Sequence, residues 1–308
     1  MSNVKIFSAS ASRYLAEKIA HAYGRELGRV SLQKFSDAEL SASYEESVRG
    51  IDVFLIQSTF PPADNVMELL LMIDAAKRAS AETVTVLIPY FGYARQDRKD
   101  RPRVAIGAKL LANILVAAGA TRVVTCDLHA GQIQGFFDIP VVHLSSTAIF
   151  VPYIESMKLE NFVFAAPDVG ATSLARTYAK HFNTEMVICD KYRKKPNEAE
   201  TLHIIGNVEG MHVIIVDDMV DTAGTMTGSA KKLMDEGALS VQAFCTHPVL
   251  SGPAYERIEN SQLQKLVVTD TIPLKKESSK VEVLSVADLF AKAIRKINDH
   301  ESISSLFI

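Results

Sequence analysis

Residues 213–225 read VIIVDDMVDTAGT, so that a run of β-branched residues passes directly into acidic residues and then into a loop of small residues. The apolar run predicts a buried strand that ends at Val216, and the residues after the loop predict a helix from about Met226. Strand, loop and helix in this order form the repeating unit of parallel sheets that are covered by helices.

The same alternation of strand and helix patterns recurs along the chain, whose 308 residues are enough for about two domains. Strands are predicted at residues 4–7, 53–57, 84–88, 122–126, 162–165, 186–189, 213–216, 241–244 and 266–268. One helix is predicted to begin at Asn65, as the N-cap, with Glu68 completing a capping box, and another covers residues 108–118. The pattern therefore predicts an α/β protein of two similar domains, residues 1–145 and 146–308, each a mainly parallel sheet flanked by helices.

Composition excludes several classes of protein. Hydrophobic residues make up 48% and charged residues 22%, as in ordinary globular domains, and the apolar run at residues 69–73 is far shorter than the roughly 18 residues of a membrane helix. A net charge of −3 gives no general attraction to nucleic acid. The three cysteines lie far apart without CxxC spacing, which predicts buried free thiols in a reducing, cytoplasmic setting.

The loop at residues 221–225 has the composition of a phosphate cradle, because backbone N–H groups and threonine hydroxyls collect at the N-terminus of a predicted helix. The preceding carboxylates of Asp217 and Asp218 would repel phosphate. They are suited to accept hydrogen bonds from sugar hydroxyls or to hold Mg²⁺ through water. A sugar phosphate satisfies both features, whereas an acidic turn that caps a helix is the alternative interpretation of the acids alone.

The whole segment resembles the phosphoribosyl pyrophosphate-binding signature that phosphoribosyltransferases share with ribose-phosphate pyrophosphokinases, in the form found in the pyrophosphokinases. The resemblance implies two phosphoribosyltransferase-like domains. It also implies that Asp217 and Asp218 contact the ribose hydroxyls. The residues implied to hold the 5-phosphate are Asp221, Thr222, Ala223, Gly224 and Thr225.

Residues 93–101, YARQDRKDR, resemble the ATP-binding flag of the pyrophosphokinases, although a charged run of this kind alone is typical of a solvated loop. The resemblance implies that Arg95 and Gln96 grip the nucleotide, with Asp97 and Lys99 nearby.

Residues 35–39, FSDAE, resemble the adenine-binding element of the same family. There Phe35 would stack on the base, while Asp37 and Glu39 would bind its amino edge and the adjoining sugar. In the family this element comes from a neighbouring subunit, so the resemblance implies a homo-oligomer, in particular a hexamer built from dimers.

Two further strand ends resemble family segments that bind metal and pyrophosphate. In DLHAGQIQGFF, residues 127–137, the resemblance places His129 in the shell of the metal and the triphosphate, although a lone histidine at a strand end is usually structural. In APDVG, residues 166–170, it implies that Asp168 helps to hold Mg²⁺ and that the loop with Gly170 receives the pyrophosphate. Ala171 stands where the family usually has glycine, and its methyl group is expected to crowd a diphosphate or to disfavour a left-handed backbone.

Residues 189–195, CDKYRKK, resemble the catalytic loop of the family. By this resemblance Lys191 and Arg193 stabilise the transition state. As a separate mechanistic hypothesis, Asp221 is predicted to accept the hydroxyl proton. The implied reaction transfers the β,γ-pyrophosphoryl group of ATP to the C1 hydroxyl of ribose 5-phosphate and releases AMP.

The resemblance extends to positions where family members bind regulatory phosphate or ADP, namely Ser47, Arg49, Ser80 and Arg103. His143 and its neighbour Val142 depart from the Asp-Asn pair that is common there. Two other functions remain open from the sequence: a phosphoribosyltransferase, which lacks the flag, and a catalytically silent regulatory relative.

Overall fold

The computed structural model describes residues 4–192 and 201–306. The described chain divides into two compact units, one formed by residues 1–146 together with 286–308 and the other by residues 147–285. Every helix of the described chain is too short or too polar to span a bilayer. The predicted α/β fold with mainly parallel sheets is confirmed.

The first unit is built on a five-stranded parallel sheet with strand order β1-β4-β5-β6-β7, beside a separate antiparallel hairpin of β2 and β3. Its strands are β1 (Val4–Ser8), β2 (Val30–Lys34), β3 (Leu40–Tyr44), β4 (Asp52–Ile56), β5 (Thr83–Ile88), β6 (Arg122–Cys126) and β7 (Val141–Leu144). Its helices are α1 (Arg13–Tyr23), α2 (Asp64–Arg78), α3 (Gly107–Ala118) and the helix Ala287–Asn298, which is the eighth in the chain and is called α8.

The second unit is built on a seven-stranded sheet with strand order β10-β9-β8-β11-β12-β13-β14, in which only the edge strand β10 is antiparallel to its neighbour. Its strands are β8 (Phe162–Ala166), β9 (Met186–Tyr192), β10 (Thr201–Ile205), β11 (His212–Val220), β12 (Ser240–Pro248), β13 (Leu263–Thr269) and β14 (Val281–Leu284). Its helices are α4 (Thr147–Ser156), α5 (Thr172–Phe182), α6 (Gly224–Asp235) and α7 (Ala254–Glu259).

Both faces of the second sheet are buried, which explains why its strands read as continuous apolar runs. Along β8, Val163 and Ala165 belong to one hydrophobic cluster, and Phe164 and Ala166 belong to another. Successive side chains of a strand point to opposite faces of the sheet, so the two clusters lie one on each face. The three cysteines are buried and form no disulfide, as the sequence predicts.

The start of α2 differs from the sequence prediction. The helix begins at Asp64, and the Asn65 side chain donates to the Phe60 carbonyl at 2.8 Å instead of capping the helix. The Glu68 carboxylate, expected in a capping box, accepts hydrogen bonds from the backbone N–H and the hydroxyl of Ser10, the latter at 2.7 Å. The capping-box prediction is therefore wrong, because tertiary partners satisfy both polar side chains.

The motif strand β11 runs four residues beyond its predicted end at Val216 and includes Asp217 and Asp218. Pairing with β12 accounts for this extension, since Asp217 lies opposite Cys245 and Val220 lies opposite Pro248. The helix after the loop begins at Gly224, two residues earlier than predicted. The phosphate-type loop is consequently very short and is held at both ends by regular structure.

The segment from residue 286 to the C-terminus, which the sequence analysis assigned to the second domain, clusters with the first unit. Its helix α8 packs against α1 and buries Phe290 and Ile294 completely. The Arg295 guanidinium lies over the Tyr23 ring, 5.5 Å from its centre, and donates to the Tyr23 carbonyl at 3.2 Å. An amphipathic pattern identifies the apolar face of a helix but not the unit that covers it.

Replacement of Phe290 by alanine is expected to destabilise the first unit by about 3–5 kcal/mol, because it leaves a cavity beneath α8. Hydrogen exchange should show faster exchange in α1 and β1, with β11 to β13 unchanged. The exposed Lys292 on the same helix provides the matched control, Lys292→Ala, which should change neither unit. Loss of protection confined to the second unit would contradict the assignment of α8.

Candidate active site

Carboxylates collect at the carboxyl ends of the adjacent strands β8 and β11. Asp168 is the second residue after β8, and Asp217 and Asp218 lie in the last four residues of β11. Burial raises the pKa of Asp217 well above its ordinary value, and the charges of Asp218 and Asp168 raise it further. The Asp218 N–H, which donates to Asp217 Oδ1 at 2.9 Å, opposes this rise in pKa. The structure thus brings together Asp217 and Asp218, which the sequence analysis assigned to the ribose hydroxyls, and Asp168, which it assigned to Mg²⁺.

The Asp168 loop leads directly into α5. Asp168 Oδ1 accepts the Ala171 N–H at 3.2 Å, and Gly170 lies exposed between these two residues. Ala171 has φ −81° and ψ −1°, so its backbone is right-handed and an alanine fits without strain. The expectation that this position disfavours alanine through a left-handed backbone is wrong.

The loop from Asp221 to Thr225 turns the chain from β11 into α6. Ala223 adopts the left-handed conformation with φ 58°, and it precedes the first helical residue, Gly224. The first N–H groups of a helix have no partner within the helix and carry the positive end of its dipole. The loop therefore has the backbone geometry of an anion site. Thr222 is exposed, and Thr225 lies in the first turn of the helix.

Residues of the segment after β12 also contact this loop, and they were not singled out from the sequence. The Arg257 guanidinium donates to the Thr222 carbonyl at 2.9 Å, and the Ser251 hydroxyl donates to Asp221 Oδ1. Arg257, Gly224, Thr227 and Lys231 line a cleft of about 770 Å³ beside α6. The sequence signal for this segment is the SGP turn at residues 251–253, after β12. Such a turn predicts a bend of the chain but not a contact with the loop.

The flag-like segment, residues 93–101, lies in the first unit between β5 and α3. Arg95, Gln96 and Lys99 are exposed, whereas the Asp97 carboxylate accepts a hydrogen bond of 2.7 Å from the Gln132 side chain. Gln132 lies three residues after His129, so this bond ties the flag to the His129 segment. His129 itself is exposed just beyond the end of β6.

The base of the flag is fixed by close packing at Gly92. Its N–H donates to the Thr59 hydroxyl at 2.7 Å, and a Cβ atom at this position would lie 2.1 Å from the Thr59 carbonyl oxygen. Only glycine fits such an approach.

His143 is one of the two residues that depart from the Asp-Asn pair common in the family. Its Nε2 atom accepts the Leu128 N–H at 2.8 Å, and this hydrogen bond anchors the residue before His129.

The adenine-type element forms the turn of the β2–β3 hairpin. Phe35 is 54% exposed, and its N–H donates to the Glu39 carbonyl at 2.8 Å, which closes the turn. Asp37 Oδ1 accepts the Glu39 N–H at 3.1 Å, and both acidic side chains are exposed. The hairpin therefore presents an aromatic ring and two carboxylates to the outside of the unit.

Three of the four residues in the implied regulatory set lie close together. Arg49 donates to the Ser80 hydroxyl at 3.2 Å, and Arg49 and Ser47 line a cleft of about 480 Å³. Arg103 lies in the loop before α3, and within the described residues no hydrogen bond or ion pair joins it to the other three.

The implied catalytic loop is described only at its start. The backbone of Lys191 belongs to β9 and pairs with Leu202 of β10, and Arg193 lies outside the described residues. No group of three or more histidine, cysteine, aspartate or glutamate side chains within residues 4–192 and 201–306 is arranged to hold a metal ion unaided.

Comparison with known proteins identifies relatives over the whole chain. Residues 4–119 match the N-terminal domain of ribose phosphate pyrophosphokinase, and residues 163–308 match the phosphoribosyl synthetase-associated domain. The ribose-phosphate pyrophosphokinase of Porphyromonas gingivalis is 56% identical over 306 residues, which cover 99% of this chain and 98% of that protein. The one from Wolinella succinogenes is 54% identical over the full length of both chains.

A solved structure extends the similarity to the fold. The crystal structure of phosphoribosylpyrophosphate synthetase from Mycobacterium smegmatis matches with a TM-score of 0.92 at 36% identity, and the match covers 97% of this chain and 99% of that one. The two helix-covered sheets, the strand-end acids and the short loop before α6 thus occur in a chain that is similar to these enzymes from end to end. The chain belongs to the ribose-phosphate pyrophosphokinase family.

Proposed function

We propose that this protein transfers the β,γ-pyrophosphoryl group of ATP to the C1 hydroxyl of ribose 5-phosphate, giving 5-phosphoribosyl 1-pyrophosphate and AMP for nucleotide biosynthesis. The observation that carries the proposal is the arrangement at the end of β11, where Asp217 and Asp218 precede a short loop at the N-terminus of α6. The carboxylates suit sugar hydroxyls, and the loop suits the 5-phosphate. Full-length similarity to named ribose-phosphate pyrophosphokinases supports the same reaction.

The nucleotide is assigned to the first unit. Arg95, Gln96 and Lys99 are exposed on the flag and offer donors to a triphosphate, while Asp97 is held by Gln132. The exposed Phe35 ring with Asp37 and Glu39 forms a stacking surface for a purine. Because this hairpin tip faces away from its own unit, we assign it to the nucleotide of a neighbouring subunit, which makes the active form a homo-oligomer, in particular a hexamer.

The donor set fits Mg²⁺. This ion is usually held by one or two carboxylates, waters and substrate phosphates, and Asp168 supplies such a carboxylate beside the acids of β11. With His129, Asp168 would hold the ion, which supplies charge neutralisation for the triphosphate when it is bound.

The reaction needs little covalent help from the protein, so positioning and charge neutralisation carry the catalysis. The C1 oxygen attacks the β-phosphorus in line, the bond from that phosphorus to the α–β bridging oxygen breaks, and AMP leaves with the electron pair. Asp217 and Asp218 orient the sugar, and Asp221 accepts the hydroxyl proton. Lys191 and Arg193 neutralise the charge that develops on the phosphoryl oxygens, and the loop with Gly170 receives the pyrophosphate.

Inorganic phosphate and ADP are proposed as regulators at the cleft lined by Ser47 and Arg49. The Arg49 guanidinium is positioned by Ser80, which favours recognition of a phosphate group. Arg103 belongs to this site in the proposal through the family resemblance. No nucleic acid or membrane partner is proposed, and the buried thiols, which form no disulfide, are consistent with the cytoplasm.

The reaction is tested by mixing the purified protein with ATP, ribose 5-phosphate and Mg²⁺ and following AMP. AMP is expected only when the sugar phosphate is present, in equal amount to the phosphoribosyl pyrophosphate formed. A phosphoribosyltransferase would produce no AMP, and a silent regulatory relative would produce none without an active partner. Release of AMP or ADP that does not depend on ribose 5-phosphate would contradict the proposal.

Replacement of Lys191 by alanine is expected to lower kcat by on the order of 10³, judging by arginine-finger effects, because charge on the transferred group loses its partner. The KM values for both substrates should change little. Lys180→Ala, at an exposed position near the end of α5, removes the same charge and serves as control. Near-normal turnover of Lys191→Ala would rule out its catalytic role.

Replacement of Arg49 by alanine is expected to raise the phosphate concentration for half-maximal activation by about tenfold, the effect of losing one charge-assisted hydrogen bond. Activity at saturating phosphate should be retained. Arg13→Ala, on the exposed face of α1, is the charge-matched control. Activity of the wild-type protein that is independent of phosphate would refute the regulatory assignment.

A further inference from the structure

We propose that residues 250–257, called here the clasp, orient the phosphate loop for ribose 5-phosphate, with Arg257 and Ser251 as positioning residues; this inference rests on the proposed function. The clasp begins two residues after β12, includes the first four residues of α7, and lies along one side of the loop. It lies among residues that the sequence analysis did not connect with catalysis.

Three successive carbonyl groups of the motif accept hydrogen bonds from the clasp. The Val220 carbonyl accepts the Leu250 N–H at 3.0 Å, and the Asp221 carbonyl accepts the Ser251 N–H at 3.0 Å. The Thr222 carbonyl accepts a hydrogen bond from the Arg257 guanidinium at 2.9 Å. All three carbonyls therefore point toward the same segment.

The direction of these carbonyls determines the direction of the N–H groups that follow them. In a planar trans peptide the C=O and the next N–H point in opposite directions. The N–H groups of Asp221, Thr222 and Ala223 are thereby turned away from the clasp. They face the side on which a phosphate can lie, beyond the N-terminus of α6. The clasp thus acts through the backbone and need not touch the substrate.

Both partners in this arrangement are anchored in the same hydrophobic core. Leu250, Ala254 and Ile258 of the clasp and its helix share one buried cluster with Val220 and Ala223 of the motif. The clasp is therefore a fixed support. The Ser251 hydroxyl adds a bond to the Asp221 carboxylate, which restrains the side chain as well as the backbone.

Arg257 is the component that can be removed without disturbing this core, because its side chain is exposed. Its guanidinium lies close to Gly224, where a Cβ atom would be 3.1 Å from the terminal nitrogen. It thus fills the space between α7 and the start of α6. Its hydrogen bond to the Thr222 carbonyl has a charged donor, whereas the two other bonds from the clasp have backbone N–H donors.

The test compares Arg257→Met, which keeps an unbranched stem but removes the donor, with wild type and with Lys231→Met. Lys231 lines the same cleft, and no hydrogen bond among the described residues joins it to the loop. Arg257→Met is expected to raise the KM for ribose 5-phosphate about tenfold, equivalent to about 1.4 kcal/mol, with kcat and the KM for ATP changed less than about twofold. Arg257→Lys should recover part of the loss, and Lys231→Met should behave as wild type.

Three other outcomes would each overturn the role of the clasp and would point to different causes. Equal effects of Arg257→Met and Lys231→Met would overturn the clasp in favour of the general charge of the cleft. Equal rises in both KM values, together with a lower unfolding midpoint, would show a merely structural role. An effect that vanishes when the salt concentration is raised to about 0.5 M would show screened long-range charge instead of a hydrogen bond.

Failure of the proposed function would be seen separately, as a wild-type protein that makes no AMP from ATP and ribose 5-phosphate. Calorimetric titration with ribose 5-phosphate alone would still decide the inference in that case. Weaker binding by Arg257→Met than by Lys231→Met supports the clasp, and equal binding overturns it.

Discussion

The burial of Asp217 beside Asp218 and Asp168, at the carboxyl edge of β8 and β11, is the constraint around which the candidate site of the second unit is built. Asp217, Asp218 and Asp168 lie close enough that the latter two raise the pKa of the first. Such a group of like charges is costly in a folded protein unless a ligand or cation compensates it. Their persistence is consistent with a sugar whose hydroxyls donate to them and with a cation that neutralises them.

The same constraint sets the architecture of the adjoining phosphate loop. In the proposed site a phosphate lies a few residues from carboxylates that repel it, so the chain has to present positive ends of peptide dipoles within a very short distance. The extension of β11 to Val220 holds the acids in the sheet, and the early start of α6 at Gly224 puts the helix N-terminus next to them. The strand on one side and the helix on the other thus hold the carboxylates apart from the anion-binding loop, and no long connecting loop is needed.

The sequence was sufficient for the parallel α/β fold and for locating the candidate residues at strand ends, because apolar runs and punctuating loops are local signals. It was insufficient where pairing partners decide the outcome. The length of β11 depends on β12, the polar side chains at the start of α2 find partners outside the helix, and α8 packs on α1 rather than on its neighbours in the chain. Arg257 was missed for the same reason, since its contact with Thr222 spans 35 positions in sequence.

Ala171 stands where the family usually has glycine, and its surroundings in the structure accommodate the alanine. Its backbone is right-handed, and its side chain belongs to a buried cluster with Ala175 and Tyr178. Its methyl group therefore packs into the apolar core of the unit. Its N–H contacts the Asp168 carboxylate and supports that acid. Alanine at this position adds apolar contact behind the loop, and the exposed Gly170 before it keeps the freedom that close approach of a ligand requires.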